Sequence, residues 1–447
     1  MATTQPATRS IGREWGLLLV LCGAIFLEGV DVSMMGVTLP SIQEELDLSA
    51  GALQWVVSAY VLGYGGFMLL GGRAADLLGR RRVFLFWLAV FVVFSGLGGL
   101  AQDGWVLITA RFVTGLSAAF LTPTGLSIIT TTFAGPRRDQ ALLVYGAAGA
   151  AGFSLGMVVG GLLTAVGWRW VFFAPVVLAL LLLVVAVQVL PPSAERVRGR
   201  FDVAGAVTAT GGGVLLVLAI AEGVWPALVG GVALLAAFVV IERRTAEPLV
   251  RLGILRSGDL LRANVSALLF AAAFFGFQLV AVLYLQHVLG WSALETGLAL
   301  LVVGVDSVLA PTLTPRLVAR FGLPRVITAG LLLAAAGFGL FLRLDHGWGY
   351  WELFPTALLL GLAFALAYGP LTIVATDGVA DAEQGLAGGL LNTSFQFGAA
   401  LGVAGVTAIA ALGGTPLEGY RLAALFPVAA ALLAAVTASR GVPRRSA

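Results

Sequence analysis

Fourteen apolar stretches divide this chain, each near the twenty or so residues an α-helix needs to cross a bilayer. They fall at about 15–39, 53–70, 83–101, 105–129, 141–165, 168–190, 203–221, 224–241, 264–285, 293–313, 326–342, 350–374, 386–412 and 420–438. Lipid offers no partner to a backbone amide, so such stretches fold as helices whose hydrogen bonds close within each segment. The expected class is an all-α membrane protein. Only 11% of residues are charged and 59% are hydrophobic, against about 25% charged in soluble domains. Too little polar surface remains to cover a globule in water, which excludes a soluble enzyme.

The chain contains no lysine, and its 26 basic residues are all arginine. With an even number of spans both termini share one side. If that side is the cytoplasm, 22 arginines fall in cytoplasmic segments and only Arg169, Arg343 and Arg421 outside, with Arg111 inside a span. Basic loops are retained in the cytoplasm during insertion, so a plasma or inner membrane protein with both tails cytoplasmic is expected. The tail 1–14 carries Arg9 and Arg13, but the run after it is too long for a signal core and reads as an uncleaved helix. Cys22 has no second cysteine to pair with, and His287 and His346 near outer loops form no metal cluster. No GxxxxGK[ST] loop is present, so energy is expected from an ion gradient rather than from nucleotide hydrolysis. No cofactor, metal or nucleic-acid partner is expected.

The two halves echo each other. Gly72–Arg82 has a degraded counterpart in Pro315–Arg325, with Gly79 matching Gly322 and Arg82 matching Arg325. Each copy follows the second helix of its half. The expected organisation is a six-helix bundle over 15–190, a central extra helix pair over 203–241, a second six-helix bundle over 263–438 and a tail at 439–447. Repeats of this kind are typical of transporters whose halves rock about a central site.

Several segments carry a specific resemblance. Asp31-Val-Ser-Met-Met-Gly-Val-Thr-Leu39-Pro40, the Gly72–Arg82 loop, Arg111-Phe-Val-Thr-Gly115, Gly152-Phe-Ser-Leu-Gly156-Met-Val-Val-Gly160-Gly161 and Gly388-Gly-Leu-Leu-Asn392-Thr-Ser-Phe-Gln396-Phe-Gly398 occur in this order. Together they resemble the motifs of the major facilitator superfamily, in its fourteen-helix drug:proton antiporter branch. The chain departs from the pattern at Leu77, where a basic residue is usual, at Thr114 in place of glutamine, and at Met157 in place of proline. The resemblance implies a gating latch built from Gly72, Asp76, Gly79, Arg80 and Arg82. It also implies export of a small amphiphilic substrate in exchange for protons. A metabolite importer or facilitator of the same fold and a non-transporting membrane receptor or scaffold are the alternatives.

The first helix can be read without the family. Glu28 and Asp31 lie three residues apart, on one helical face. Ionised carboxylates are costly in hydrocarbon, by about 2.5–3.5 kcal/mol on insertion scales, so they should face a polar cavity. Counted from the outer surface, Asp31 lies about 12 Å deep and Arg111 about 9 Å, so the two can meet. Glu28, Asp31 and Arg111 are therefore assigned to proton coupling, the alternative being a permanent ion pair between Arg111 and one acid. Asp306, about 18 Å into the tenth helix, is a third candidate acid for the cavity, or else a packing residue. Gln278, Asn392 and Gln396 are candidate hydrogen-bonding groups for cargo. Tyr60, Phe274, Phe275 and Phe395 offer ring faces to a cation, though packing is commoner for any one ring. Gly152, Gly156, Gly160 and Gly161 have the spacing of a close-packing surface and are read as a packing and hinge face between the bundles. Two bundles in one chain can enclose a complete pathway, so a monomer in the lipid bilayer is expected.

Overall fold

The structure is a computed structural model that describes residues 11–133, 136–191, 202–245, 248, 250, 253–254, 257–377 and 384–440. Arg9, Arg196, Arg198, Arg200, Arg251, Arg256, Arg444 and Arg445 lie outside the described residues, as do the side chains of Arg13 and Asp76. The described chain is helical almost throughout, without strands. In the first half run α1 (Ile11–Leu46), α2 (Ala50–Leu78), α3 (Arg80–Gly99), α4 (Gly104–Thr132), α5 (Pro136–Val166) and α6 (Trp170–Val189). The middle pair is α7 (Val203–Glu222) and α8 (Trp225–Arg244). The second half holds α9 (Gly258–Leu283), α10 (Ala293–Leu300), α11 (Asp306–Thr312), α12 (Thr314–Phe321), α13 (Leu323–Phe341), α14 (Tyr350–Thr376), α15 (Gln384–Ala410), α16 (Pro416–Ala423) and α17 (Leu425–Ser439).

Fourteen segments are long and apolar enough to span a membrane, matching the sequence reading within a few residues at most ends. Three of them are composite: in one, α9 continues as a π-helical turn over Tyr284–Val288. A 3₁₀ stretch, Leu301–Val305, joins α10 to α11 within one span, and α16 with α17 makes another. The tenth span is therefore broken near its middle, which the apolar pattern did not reveal. Short α12 carries Arg316 and Arg320 and lies outside the spans.

Helix α1 packs on α5 and α6, α2 on α4, and α3 on α4 and α6, closing one bundle. In the second, α9 packs on α15 and α17, and α13 on α14 and α17. Glycines set the closeness of the central pairs. A methyl group on Gly152 would stand 2.3 Å from the Phe26 carbonyl oxygen, and one on Gly398 only 2.1 Å from that of Leu268. Thus α5 lies on α1 as α15 lies on α9, the same device in both halves. The repeated loops also share their turn: Gly79 has φ 95° and Gly322 φ 81°, backbone that a side chain would strain.

The bundles meet on the side away from the termini. Leu39, Ile42, Leu53 and Val56 share one buried cluster with Leu279, Tyr284 and Leu285 of the second half. There Gln286 Nε2 donates to the Val37 carbonyl at 2.8 Å. The extra pair is held by α7, which touches α2 and α15 as well as α8. Helix α8 is the least buried of the spans.

Candidate functional site

Facing residues of α1 and α4 meet in the interior of the first bundle. Asp31 and Arg111 are 1% and 2% exposed, and Arg111 Nη1 donates to Asp31 Oδ2 at 2.7 Å. Around them the guanidinium is held on two more sides. Its Nε donates to the Val56 carbonyl at 3.4 Å, and its carbon lies 4.4 Å from the centre of the Tyr60 ring, a cation–π contact. Gly115 makes this possible: its bare Cα lets α4 close onto the Tyr60 backbone, where a Cβ would be 2.1 Å from the carbonyl oxygen. Thr114, at the family's glutamine position, turns back to its own helix and donates to the Arg111 carbonyl at 3.0 Å.

Glu28 lies on the same face of α1 but makes different contacts. Thr122 Oγ1 donates to Glu28 Oε2, and the Tyr64 hydroxyl donates to Thr122 Oγ1 at 3.1 Å. Tyr145 closes the group by donating to the Thr122 carbonyl at 3.3 Å. Among the described residues no cation pairs with Glu28. The two acids therefore occupy unlike environments, one neutralised by arginine and the other held by hydroxyls. Sequence reasoning missed Thr122, Tyr64 and Tyr145. Two of them were within reach, because Thr122 lies about three turns beyond Arg111 and Tyr64 about one turn beyond Tyr60, on the same helical faces.

A narrow cavity of about 30 Å³, room for a water or two, lies beside the ion pair and is lined by Tyr60, Arg111, Met35, Phe275, Gln278 and Val403, among others. Both bundles contribute to it. Gln278 lies over Gly36, its amide nitrogen 3.2 Å from where a Cβ would stand. Gln396 lies against Gly65 of α2 in the same way. Asn392 is further along α15, where the Tyr368 hydroxyl donates to its Oδ1 at 2.8 Å. Tyr60 lines the cavity but is 1% exposed, with its ring spent on Arg111.

Asp306 stands apart from this group. It is the first residue of α11, where the span restarts after its 3₁₀ break. No side chain among the described residues bonds to it.

Phe274, Phe275 and Phe395 belong to a larger aromatic cluster. Phe274 lies 5.1 Å from Phe364, Phe364 stacks on Tyr368 at 5.3 Å, and Tyr368 meets Phe395 at 5.0 Å. Phe153 of α5 joins from the other bundle, 6.4 Å from Phe274. Phe364 and Tyr368 repeat one helical turn apart, a signal that the sequence reading passed over.

The glycine face of α5 needs correction. Gly152, Gly156 and Gly160 pack on Phe26, Val30 and Met34 of α1, within the first bundle, and only Gly161 meets the second bundle, at Ala293. Their carbonyl-to-Cα closeness serves bundle integrity rather than a sliding surface. Met157, where the motif has proline, is buried with Val37, Val282 and Leu300, and α5 runs unbroken. In the Gly72–Arg82 loop, Leu77 is buried, which suits leucine better than the usual basic residue. Gly72 faces Pro123, Arg80 begins α3, Arg81 Nη2 donates to the Val187 carbonyl at 2.7 Å, and Arg82 is exposed.

A family model described as the Major Facilitator Superfamily matches residues 21–305 and 263–447. The puromycin resistance protein pur8 of Streptomyces alboniger is 36% identical, over 95% of this chain and 90% of its own. The cephamycin export protein CmcT of Amycolatopsis lactamdurans is 37% identical over 90% and 86%. Among solved structures, a point mutant of the nucleoside transporter NupG aligns with a TM-score of 0.71 at 12% identity, covering 96% of this chain and 99% of that one. A peptide transporter POT in complex with sulfate gives 0.71 at 19%, over 94% and 93%. These structures establish likeness of fold. Fourteen spans in two bundles with an inserted pair, and a family match over nearly the whole length, lead to one conclusion: the chain belongs to the Major Facilitator Superfamily of membrane transporters.

Proposed function

We propose that the protein exports small amphiphilic compounds across the plasma or inner membrane in exchange for protons, by alternating access, with both termini in the cytoplasm. The observation that carries this reading is the unequal treatment of two acids on one helix face. Asp31 is bound to Arg111 at 2.7 Å, whereas Glu28 is held by the Thr122 hydroxyl without a cation. A carboxyl in such a setting can exchange a proton without breaking a buried ion pair, and hydroxyls can bond to either of its forms. Glu28 is thus the proton carrier, Asp31 and Arg111 the fixed charges that shape its field, and Tyr60 the residue that positions Arg111.

The contact of the bundles on the far side, where Gln286 donates to the Val37 carbonyl, supports a cavity that faces the cytoplasm. Cargo enters there and lies against the aromatic cluster, with Gln278, Gln396 and Asn392 offering hydrogen bonds. Asp306 is left as the helix-start residue that steadies the broken span. The latch residues Gly72, Asp76, Gly79, Arg80 and Arg82 govern closure on the cytoplasmic face, and one chain suffices for the pathway. The names of the relatives pur8 and CmcT, a resistance protein and an export protein, support the export direction.

Proteoliposomes with an imposed pH gradient test the reading, using puromycin as the first probe. Uptake into vesicles should follow the gradient in the native protein and lose that dependence in Glu28→Gln. Gradient-driven uptake at the native rate in that variant would overturn the assignment.

A further inference from the structure

Two buried acids at the foot of the inserted helix pair take no part in the transport site. Asp202 stands immediately before α7 and Glu242 lies in the last turn of α8, so by span count both are on the termini side. They are 5% and 4% exposed. One oxygen of each has an ordinary duty. Asp202 Oδ1 caps α7 by accepting the Gly205 backbone N–H at 2.7 Å. Glu242 Oε2 accepts the Val250 N–H at 2.9 Å, which ties to α8 the chain that leads on to α9.

The second oxygens have no such duty. Asp202 Oδ2 and Glu242 Oε1 are buried without a hydrogen-bond partner among the described residues. They converge on one spot: a Cβ on Gly205 would stand 2.9 Å from the first and 2.6 Å from the second, so the two oxygens flank the space of a single methyl group. None of the ion pairs among the described residues involves either acid. Arg243 and Arg244, which follow Glu242 on α8, are exposed. Helix α7 otherwise carries Glu222, at its far end, and touches α2 and α15. Of these, α2 bears Arg73 and Asp76 near the termini side and α15 bears no charged residue.

Two ionised carboxylates repel each other strongly where burial removes the water between them. Two protein oxygens are also too few for a metal ion, which takes about four to eight ligands. One proton satisfies both, because the protonated acid donates to the ionised one. We infer that Asp202 and Glu242 bind one proton between them, and that this proton clasps α7, α8 and the Val250 segment together on the termini side. In the open hairpin both acids meet water, where they ionise at about pH 4. Closing therefore takes up a proton, and rising pH favours opening, by up to about tenfold per unit. Because α7 packs on α2 and α15, its seating against both bundles follows the pH of the termini-side compartment. The clasp is separate from Glu28 and does not depend on the coupling proposed there.

The test uses the full chain in nanodiscs, with Cys22→Ser removing the single native thiol and Ala206→Cys as reporter. Ala206 lies about one turn beyond Asp202 and is wholly buried in one cluster with Leu70 and Ala74 of α2. Its labelling by a small maleimide is divided at each pH by that of Val203→Cys, a position 54% exposed, to remove the thiol's own titration. From weakly acidic to weakly alkaline buffer the ratio should rise about tenfold or more. Glu242→Gln puts an amide donor where the shared proton lies and keeps a carbonyl for Val250, so its ratio should stay low and flat. Glu242→Ala should be high and flat. Hydrogen exchange at the Val250 amide, corrected for its intrinsic pH dependence, needs no cysteine and should follow the same profiles. A ratio and a Val250 protection that ignore pH, or a pH-dependent rise undiminished in Glu242→Gln, would overturn the clasp. Opening that tracks salt concentration instead of pH would also overturn it, because a cation would then neutralise the pair.

Discussion

Replacing Asp31 and replacing Glu28 should cost very different amounts of stability, although both are acids on one face of α1. At 2.7 Å and an effective dielectric of about 20, the attraction between Asp31 and Arg111 is about 6 kcal/mol. Desolvating two buried ions costs several kcal/mol each, so the pair as a whole adds little net stability. Removing one partner is another matter, because it leaves the other charge buried without its counter-ion. Asp31→Asn should therefore destabilise the protein by about 3–5 kcal/mol, and Arg111→Gln by a similar amount. The double variant should lose less than the sum, with a coupling of at least ~2 kcal/mol. Glu28→Gln keeps an acceptor for the Thr122 hydroxyl and should cost about 1 kcal/mol or less. Reversible unfolding in mixed detergent micelles measures all four proteins. Additive losses for Asp31 and Arg111, or a Glu28→Gln loss as large as that of Asp31→Asn, would refute the division of roles.

Other substitutions probe the packing around the site. Gly115→Ala drives a methyl group to 2.1 Å from the Tyr60 carbonyl oxygen, so α2 must shift, at about 1–3 kcal/mol, and transport should fall with stability. Gln286→Leu removes the bond to Val37 at 2.8 Å, worth about 1 kcal/mol. The far side should then open more often, seen as roughly fivefold faster labelling of a Leu39→Cys reporter by an impermeant maleimide. Arg169→Ala removes a largely exposed pair with Glu45 and should change stability by under about 1 kcal/mol. Tyr368→Phe frees Asn392 Oδ1 from its donor at 2.8 Å, and should alter the relative uptake of different probes more than overall stability.

The spans were legible because lipid imposes one solution on every apolar stretch of sufficient length, and Gly79 and Gly322 betrayed the repeat because both need a positive φ. Asp31 and Arg111 could be brought together by counting depth along two helices. Depth says nothing of rotation, however, and rotation decided that Arg111 would take Asp31 and leave Glu28 to hydroxyls. Periodicity also cannot show a break such as Leu301–Val305, where the chain stays apolar and changes only its hydrogen bonding. For that reason the sequence could not show that Asp306, placed by depth as a candidate cavity acid, is the first residue of a new helix. The α5 glycines announced close packing without naming the partner. Three face α1, and only the contacts of the folded chain distinguish that from an interface between bundles.

Proton release on cargo binding tests the central claim most directly. Purified protein at weak buffering is mixed with puromycin in the presence of a pH indicator dye, near the pH at which transport is half-maximal. The native protein should release protons in proportion to occupied sites, Asp31→Asn refolded to stable protein should still release them, and Glu28→Gln should release none. Equal release from Glu28→Gln and native protein would contradict the account.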